Sequence, residues 1–470
     1  MSDVTKRLSI RIAALLAVLA LVVVALSVTV LRTPPIEPES RVPLAERVPG
    51  AVLPAVAPAV LPTLGEQAPV PSADALDQVL LPLIASKALG SRVSIDVLDP
   101  LTGDHLMSEA PSTARTPAST AKLLTAAAAL TALGPQTTLA TRAVAGASAG
   151  QVVLVGGGDV MLSAGAGNPQ VINGRAGLRE LARQTATALR AQNRSSVRLI
   201  LDDRLFSGPT RSPGWAASDV DDGYVAPIQS LEVDAGRVAS GHFARRSSDP
   251  AMTAALTFAT QLKKRGIRVT GSIRRGAAPK TSAELGRVES ASVAGLVEYA
   301  LTESDNTVAE ALGRLVAIAA GEPGSFEATG PAVLAQLKDL GVPVTNAVLG
   351  DASGLGEGSA VPPQVMTALL ALATGTDQPQ LRAVLSGLPI AAVSGTLAGR
   401  FSGSGEQAAT GMVRAKTGTL TGVSSLAGTV VDSDGRLLVF AAMADRVKST
   451  TAARAALDRI ATALAACGCR

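Results

Sequence analysis

Histidine is almost absent from this chain, which has only two in 470 residues, His105 and His242. The chain therefore has almost no histidines from which to build a Ser-His-Asp triad or a histidine-rich metal site. We interpret His105 as a surface residue of a strand, and His242 lies in a polar stretch. If this protein activates a nucleophile, the base must be a lysine or a carboxylate.

Cysteine and aromatic residues are also scarce. The two cysteines, Cys467 and Cys469, are separated by a single residue, so a bond between them would close a very small ring and we expect no scaffold disulfide. Their spacing is not that of a metal site. Aromatic residues make up 2% of the chain, so leucine, valine, isoleucine and alanine must fill the core.

Concentrated positive charge is lacking as well. The formal net charge is +4, and the basic residues are scattered instead of clustered, which argues against nucleic acid as a partner. The chain is 47% hydrophobic over 470 residues. It can bury a large core, and two domains are expected.

One long apolar run is present at residues 12–31, preceded by Lys6, Arg7 and Arg11. A helix of that length, at ~1.5 Å per residue, covers the ~30 Å hydrocarbon core of a membrane. Positive charge before the run keeps the N-terminus in the cytoplasm. The sequence favours a transmembrane anchor within residues 1–32, with a cleaved signal peptide as the alternative. Either way, the rest of the chain is predicted to be extracytoplasmic, in the cell envelope.

A proline-rich stretch follows at residues 33–75. Closely spaced prolines exclude a helix and favour an extended, semi-rigid spacer. This linker would hold a globular part away from the membrane.

Ser119 and Lys122 stand at the head of an apolar, alanine-rich segment, TPASTAKLLTAAAALTALG. Taken alone, the pair has an ordinary explanation, in which Ser119 is an N-cap and Lys122 a solvated residue of the first helical turn. Lysine is rare here, however, because the sequence contains nine. The question is whether another of them has a matching context.

Lys416 provides that context, in the triplet Lys416-Thr417-Gly418 at the start of three alternating apolar strands predicted over 413–444. Between the two lysines lies Ser304-Asp305-Asn306, at the head of a predicted helix. Each triplet alone could arise by chance. In this order, S-x-x-K, S-x-N and K-T-G form the set that is typical of penicillin-binding proteins and class A β-lactamases.

Further segments extend the resemblance over residues 76–465. They are PASTAKLLTAAAAL, LVGGGDVML, LDDRLFSGP, YVAPIQSLEVD, SDNTVAEAL, DASGLG and AKTGTLTGVSSLAG. Together they resemble the D-alanyl-D-alanine carboxypeptidase family of penicillin-binding-protein-4 type, peptidase family S13, the low-molecular-mass class C penicillin-binding proteins.

The resemblance implies an α/β (α+β) fold of the penicillin-recognising serine transpeptidase or β-lactamase-like kind. The DD-peptidase domain would comprise residues 76–136 and 286–470, with an inserted second domain at 137–285. A third domain that interrupts the inserted one in many relatives is expected to be absent, since only a short bridge separates LEVD from the next helix.

The chemistry of such a site explains why these residue types are needed. A serine hydroxyl is a poor nucleophile until a neighbour removes its proton, and Ser119 and Lys122 share a helical face. Burial, with repulsion from Lys416, would lower the pKa of Lys122 so that it can act as a base. Ser304 would relay a proton to the leaving amine, and Asn306 would position the substrate's peptide.

The family resemblance assigns further roles. It implies that Lys416, Thr417 and Thr419, with Gly418 between the threonines, bind the substrate's terminal carboxylate. It also implies an oxyanion hole made of the backbone amides of Ser119 and Thr419, which would stabilise charge that appears in the transition state.

The same resemblance implies contacts to the stem peptide's side chain from Asp202, Phe206 and the SGL triplet that contains Leu355. Glu357 follows this triplet, where the family usually has an arginine. A stem peptide with an amidated third residue is therefore expected to be preferred, because a free carboxylate would be repelled.

The function that follows is a serine DD-peptidase that cleaves the D-Ala-D-Ala bond of peptidoglycan stem peptides, and D-alanine cross-links as a further substrate, through a Ser119 acyl-enzyme. β-Lactams would be covalent inhibitors, and no cofactor or metal is expected. Two alternatives remain open. One is a non-catalytic, membrane-tethered peptidoglycan-binding protein. The other is a β-lactamase, for which the sequence identifies no deacylating carboxylate.

Overall fold

The structure is a computed structural model that describes residues 67–469. The predicted anchor, and the linker up to residue 66, lie outside this range. Within the range, no helix combines the length and the apolar character that crossing a membrane requires. Membrane anchoring therefore stays a prediction.

Strands and helices are mixed along the described chain. The strands are β1 (Arg92–Leu98), β2 (His105–Glu109), β3 (Thr138–Ala145), β4 (Gln151–Val155), β5 (Asp159–Leu162), β6 (Ser196–Asp202), β7 (Leu231–Val233), β8 (Arg268–Val269), β9 (Arg274–Arg275), β10 (Glu284–Ser292), β11 (Val413–Leu420), β12 (Val423–Val431) and β13 (Leu437–Asp445). The α-helices are α1 (Ala73–Ile84), α2 (Lys122–Leu133), α3 (Leu178–Ala191), α4 (Pro250–Lys264), α5 (Val293–Thr302), α6 (Asn306–Ala319), α7 (Phe326–Asp339), α8 (Pro363–Thr374), α9 (Arg382–Ser386) and α10 (Thr450–Ala466).

A five-stranded antiparallel sheet has the order β11-β12-β13-β1-β2. The three closing strands predicted over 413–444 form, and the pairing of β13 with β1 joins the two ends of the described chain. Side chains alternate across β13, so Val439 packs with the core that includes α8, whereas Phe440 packs with the core that includes α10. Helices therefore cover both faces of this sheet.

The second sheet has the order β10-β3-β4-β6-β8, with β9 beside β6. Helices α3 and α4 pack together over it. The core between them is fully buried and includes Leu154, Leu199 and Phe258. The strands of this sheet fall within residues 138–292, so β10 continues past residue 285, where the inserted domain is predicted to end.

Helix α2 lies in the interior, between α5, α6 and α7. Its residues from Lys122 to Leu130 are all buried. A helix that is apolar on every face has to be buried in this way, and its alanines let the neighbouring helices approach closely. The lysine at its head is thereby drawn out of solvent.

The two cysteines are joined to each other, a pairing that the sequence analysis did not expect. Their Cα atoms lie 5.0 Å apart, within the ordinary range for a disulfide. The bond spans a single residue and links no separate elements, so it is not a scaffold disulfide. His105 begins β2 and is half exposed, as interpreted, with Nδ1 2.8 Å from an oxygen of buried Asp96.

Candidate active site

The site is built around the short turn that leads into α2. Ser119 lies in a 3₁₀ turn, Ala118–Ala121, and Lys122 is the first residue of α2. Ala118 has a φ of 46°, a left-handed conformation that residues with a side chain rarely adopt and that clusters at functional sites. Lys122 Nζ donates a hydrogen bond to Ser119 Oγ over 2.9 Å.

The structure decides between the two interpretations of this pair. Helix α2 begins without a side-chain cap, so Ser119 does not serve as its N-cap. Only 1% of Lys122 is exposed. The alternative of a capping serine and a solvated lysine is therefore wrong.

Lys122 Nζ has two further partners. It donates to Asn306 Oδ1 over 2.6 Å and to the main-chain oxygen of Ser353 over 2.8 Å. A lysine ammonium has three N–H donors and no acceptor. The three bonds therefore use every N–H of the protonated side chain.

The orientation of the Asn306 amide is fixed from its other end. Its Nδ2 donates to the main-chain oxygen of Tyr224 over 3.0 Å, and a carbonyl can only accept. Asn306 Oδ1 must therefore face Lys122. When Lys122 is neutral, its two N–H groups stay with Asn306 and Ser353, and its lone pair faces Ser119 Oγ. This geometry can accept the proton of the serine hydroxyl.

A second lysine–serine pair lies opposite the first. Ser304 connects α5 to α6 with a φ of 56°, another left-handed conformation. Its Oγ accepts a hydrogen bond from Lys416 Nζ over 2.9 Å. Lys416 is fully buried, and Nζ also donates to the main-chain oxygen of Thr417 over 2.9 Å. The hydroxyl hydrogen of Ser304 is therefore left free for a group bound in the site.

Burial lowers the pKa of both lysines. It brings the pKa of Lys122 to about 8, although the nearby carboxyl groups of Asp351, Glu310 and Asp305 raise that pKa. The pKa of Lys416 falls well below its usual value, first through burial and then through repulsion from Lys122 and Arg400. Burial is the main cause for both lysines. The effect of Lys416 repulsion on Lys122 stays a prediction.

The loop at 351–356 is held firmly beneath Lys122. Glu310, one helical turn after Asn306, accepts from the backbone N–H of Ser353 over 2.9 Å and of Ala352 over 3.2 Å. Thr125 Oγ1 donates to the main-chain oxygen of Ala352 over 2.6 Å. Because side chains of α2 and α6 both hydrogen-bond to this loop, the Ser353 carbonyl stays directed at Lys122.

Gly418 lets β11 approach the serine turn. A Cβ at this position would lie 2.5 Å from the main-chain oxygen of Pro117 and 2.1 Å from Ser425 Oγ. Any side chain would therefore push β11 away from the turn. Close packing here keeps the backbone of Thr419 next to the turn that carries Ser119, as the predicted oxyanion hole requires.

The two threonines of β11 are each held by a neighbour. Thr417 Oγ1 lies 2.9 Å from Thr396 Oγ1, and Thr419 Oγ1 accepts from Arg454 Nε over 3.2 Å. Thr417 and Thr419 are two residues apart on a strand, so their side chains lie on the same face. They form a polar edge beside Lys416.

The three residues predicted to contact the stem peptide have other partners. Asp202 accepts from Arg204 Nε over 2.9 Å and from the backbone N–H of Ala278 over 2.7 Å. Phe206 is largely buried, and the guanidinium carbon of Arg314 lies 5.6 Å from its ring centre. Neither side chain contacts the Ser119 or Lys416 groups in the described structure.

Leu355 does lie in the loop beneath Lys122, where its backbone N–H donates to Ser353 Oγ over 3.3 Å. Glu357, on the same loop, is exposed, and its backbone N–H donates to Gly214 over 3.0 Å. Its effect on the third stem residue stays a prediction.

The sequence reasoning missed four residues that shape the site: Glu310, Asp351, Thr396 and Arg454. The first two had a signal, because Glu310 lies in SDNTVAEAL and Asp351 in DASGLG. Acidic residues inside apolar segments can be expected to meet buried polar groups. Nothing in the sequence links Thr396 or Arg454 to β11, since both lie on other segments that tertiary packing brings next to this strand.

Comparison with known proteins identifies the family of the chain. A model of the D-Ala-D-Ala carboxypeptidase 3 (S13) family matches residues 76–243 and 239–466. Carboxypeptidase DacB of Mycolicibacterium smegmatis is 38% identical over 470 residues, covering 98% of each chain. A carboxypeptidase of Mycobacterium tuberculosis is 37% identical over 421 residues, covering 88% of this chain and 89% of that protein.

Solved structures show the same fold. Penicillin binding protein 4 (dacB) from Haemophilus influenzae aligns with a TM-score of 0.67 at 22% identity, covering 82% of this chain and 97% of that one. Its complex with a β-lactam aligns with a TM-score of 0.61 at 23% identity. The described chain therefore has the mixed α/β fold of the penicillin-recognising enzymes.

Proposed function

The chain belongs to the D-Ala-D-Ala carboxypeptidase 3 (S13) family, and we propose that its reaction proceeds through an acyl-enzyme on Ser119 with Lys122 as the base. Membership makes it a serine-type D-Ala-D-Ala carboxypeptidase that binds penicillin. The residue assignment is our own.

One observation carries the assignment. Lys122 Nζ is 2.9 Å from Ser119 Oγ, while its other two partners, Asn306 Oδ1 and the Ser353 carbonyl, can only accept. The neutral amine consequently has one direction for its lone pair, and Ser119 Oγ lies there. A capped or surface lysine would have no such constraint.

Acylation then runs in balanced steps. Lys122 takes the proton of Ser119 Oγ as that oxygen bonds to the carbonyl carbon of the penultimate D-alanine. The backbone amides of Ser119 and Thr419 would stabilise the negative charge that develops on the carbonyl oxygen. The C–N bond breaks, the leaving D-alanine amine receives the hydroxyl proton of Ser304, and the proton held by Lys122 restores that hydroxyl.

Deacylation repeats the sequence with water. Lys122, neutral again, takes a proton from a water that attacks the acyl carbon, and the ester bond breaks to restore the Ser119 hydroxyl with that proton. Asn306 would hold the substrate's peptide with the second N–H of its amide, since the first is bound to Tyr224. A β-lactam would follow the first half of this course and acylate Ser119.

The fold and the sequence support a placement for this reaction. Residues 76–136 and 286–470 would form the DD-peptidase domain, and 137–285 a second domain inserted between the nucleophile and Ser304. The N-terminal anchor or signal would place the enzyme outside the cytoplasm, in the cell envelope. Its substrates would then be peptidoglycan stem peptides.

The test is covalent labelling. Purified protein incubated with a fluorescent penicillin should carry one label, Ser119→Ala should carry none, and the exposed Ser240→Ala should label like the wild type. Labelling of Ser119→Ala would move the nucleophile elsewhere. A wild type that neither labels nor releases D-alanine from a D-Ala-D-Ala peptide would favour the non-catalytic alternative.

A further inference from the structure

Arg454 reaches β11 from a helix that no motif connects to the site. It lies near the start of α10, and its Nε donates to Thr419 Oγ1 over 3.2 Å. Its side chain is exposed. Within residues 67–469, no hydrogen bond or ion pair engages its two terminal nitrogens, Nη1 and Nη2. Those two N–H-bearing groups are free to bind a ligand.

The charges around Arg454 are mostly of one sign. Burial lowers the pKa of Arg454 and that of Lys416, and repulsion from the nearby Arg400 lowers both further. The neighbouring acid is Asp458, and Arg400 already holds both of its oxygens, at 2.6 Å and 3.2 Å. Positive charge therefore exceeds negative charge along this edge of β11, which favours an anion.

We propose that Arg454, together with Thr419, binds the free carboxylate of the residue that leaves, and so selects leaving groups that carry a carboxylate over those that carry a carboxamide. The inference rests on the proposed acylation of Ser119, since the leaving residue is defined by that reaction. A guanidinium matches a carboxylate with two parallel N–H···O bonds. Nε remains with Thr419 while the terminal nitrogens bind.

The selection has a consequence for substrate class. A terminal D-alanine always presents a free carboxylate next to the scissile amide. A cross-linked substrate presents one only where the carboxyl group beside the leaving amine is not amidated. The enzyme should therefore accept free-acid cross-links and discriminate against amidated ones.

The experiment compares two peptides, N-acetyl-L-Lys(acetyl)-D-Ala-D-Ala and the same peptide with a C-terminal carboxamide. The wild type should cleave the free acid with the higher kcat/KM. Arg454→Met should lower kcat/KM for the acid by roughly 10–100-fold, the value of hydrogen bonds to a charged group, through a rise in KM. The same substitution should change kcat/KM for the carboxamide peptide by less than about threefold. Arg454→Lys keeps the charge but loses the paired hydrogen bonds. Its kcat/KM for the free acid should lie between those of the wild type and Arg454→Met.

Arg459→Met is the matched control, because Arg459 is an exposed arginine on the same helix, and it should leave both substrates unchanged. An equal loss for acid and amide in Arg454→Met would assign Arg454 a structural role and overturn the inference. Unchanged preference would overturn it as well. A wild type that cleaves neither peptide would instead refute the proposed function, and the inference with it.

Discussion

The core beneath the six-stranded sheet and the interior around Lys122 are equally buried but are built from different side chains. Leu154, Leu199 and Phe258 in the first are 0% exposed and carry no polar atom. The second region buries Lys122 and Lys416, which are 1% and 0% exposed. One region contributes stability through removal of apolar surface from water, and the other takes charges out of water at a cost.

The difference shows how the fold compensates for the free energy lost when charged side chains are taken out of water. Buried ionisable groups around Lys122 are hydrogen-bonded, as Glu310 is to two backbone N–H groups of the loop at 351–356. Desolvation nevertheless lowers the pKa values of both lysines, as a catalytic base requires, and raises that of Glu310 to about 8. Mutations in the two regions should therefore separate activity from stability.

The largest effect is expected at Lys122. Lys122→Ala should lower the rate of acylation by penicillin about 10²–10⁴-fold, the usual contribution of a general base, while circular dichroism shows a folded protein. Lys122→Arg should not restore the rate, because a guanidinium does not lose its proton at working pH. Stopped-flow labelling measures both. An active Lys122→Arg enzyme would exclude lysine as the base.

The contacts of this region that could be predicted from the sequence are those between residues close together in the chain. Ser119 and Lys122 are one helical turn apart, so their contact follows from spacing alone. The pairing of Lys416 with Ser304 spans 112 residues and was reached through motif order instead of geometry. The contact of Arg454 with Thr419 had no sequence signal, because the docking of α10 beside β11 is a tertiary event.

The other region shows the same limit. The closing strands were predicted from periodicity, and they form over 413–445. Helix α3 was not predicted, although leucines and alanines line its buried face. The extent of the second sheet also had to be read from the structure, because strand partners far apart in the chain, such as β3 and β10, are fixed by packing.

A smaller effect, on stability instead of activity, is expected from substitution of Phe258. Phe258→Ala should lower the free energy of unfolding by about 3–5 kcal/mol, because it leaves a cavity in a fully buried apolar core. Urea unfolding measures this. Penicillin labelling of the protein that remains folded should keep its wild-type rate constant. A slower rate constant in the folded fraction would mean that this core also shapes the site, and the two regions would not be separable.

The smallest effect, and the sharpest test of the polar region, concerns pH. The base is active when neutral, and the pKa of Lys122 is about 8, so the rate of acylation should rise as pH increases and level off above about 8. The carboxyl group of Asp351 raises that pKa, as do those of Glu310 and Asp305. Asp351→Asn removes one negative charge from this set while nearly preserving the shape of the side chain.

The sign of the change follows directly. Without the Asp351 charge, the ammonium of Lys122 is less stabilised, so the midpoint of the pH profile should move to lower pH. At pH 7 the variant should acylate a few-fold faster relative to its own plateau. The exposed Glu322→Gln should leave the midpoint in place. An unchanged or higher midpoint in Asp351→Asn would show that Asp351 acts on the loop at 351–356 alone and not on the charge of Lys122.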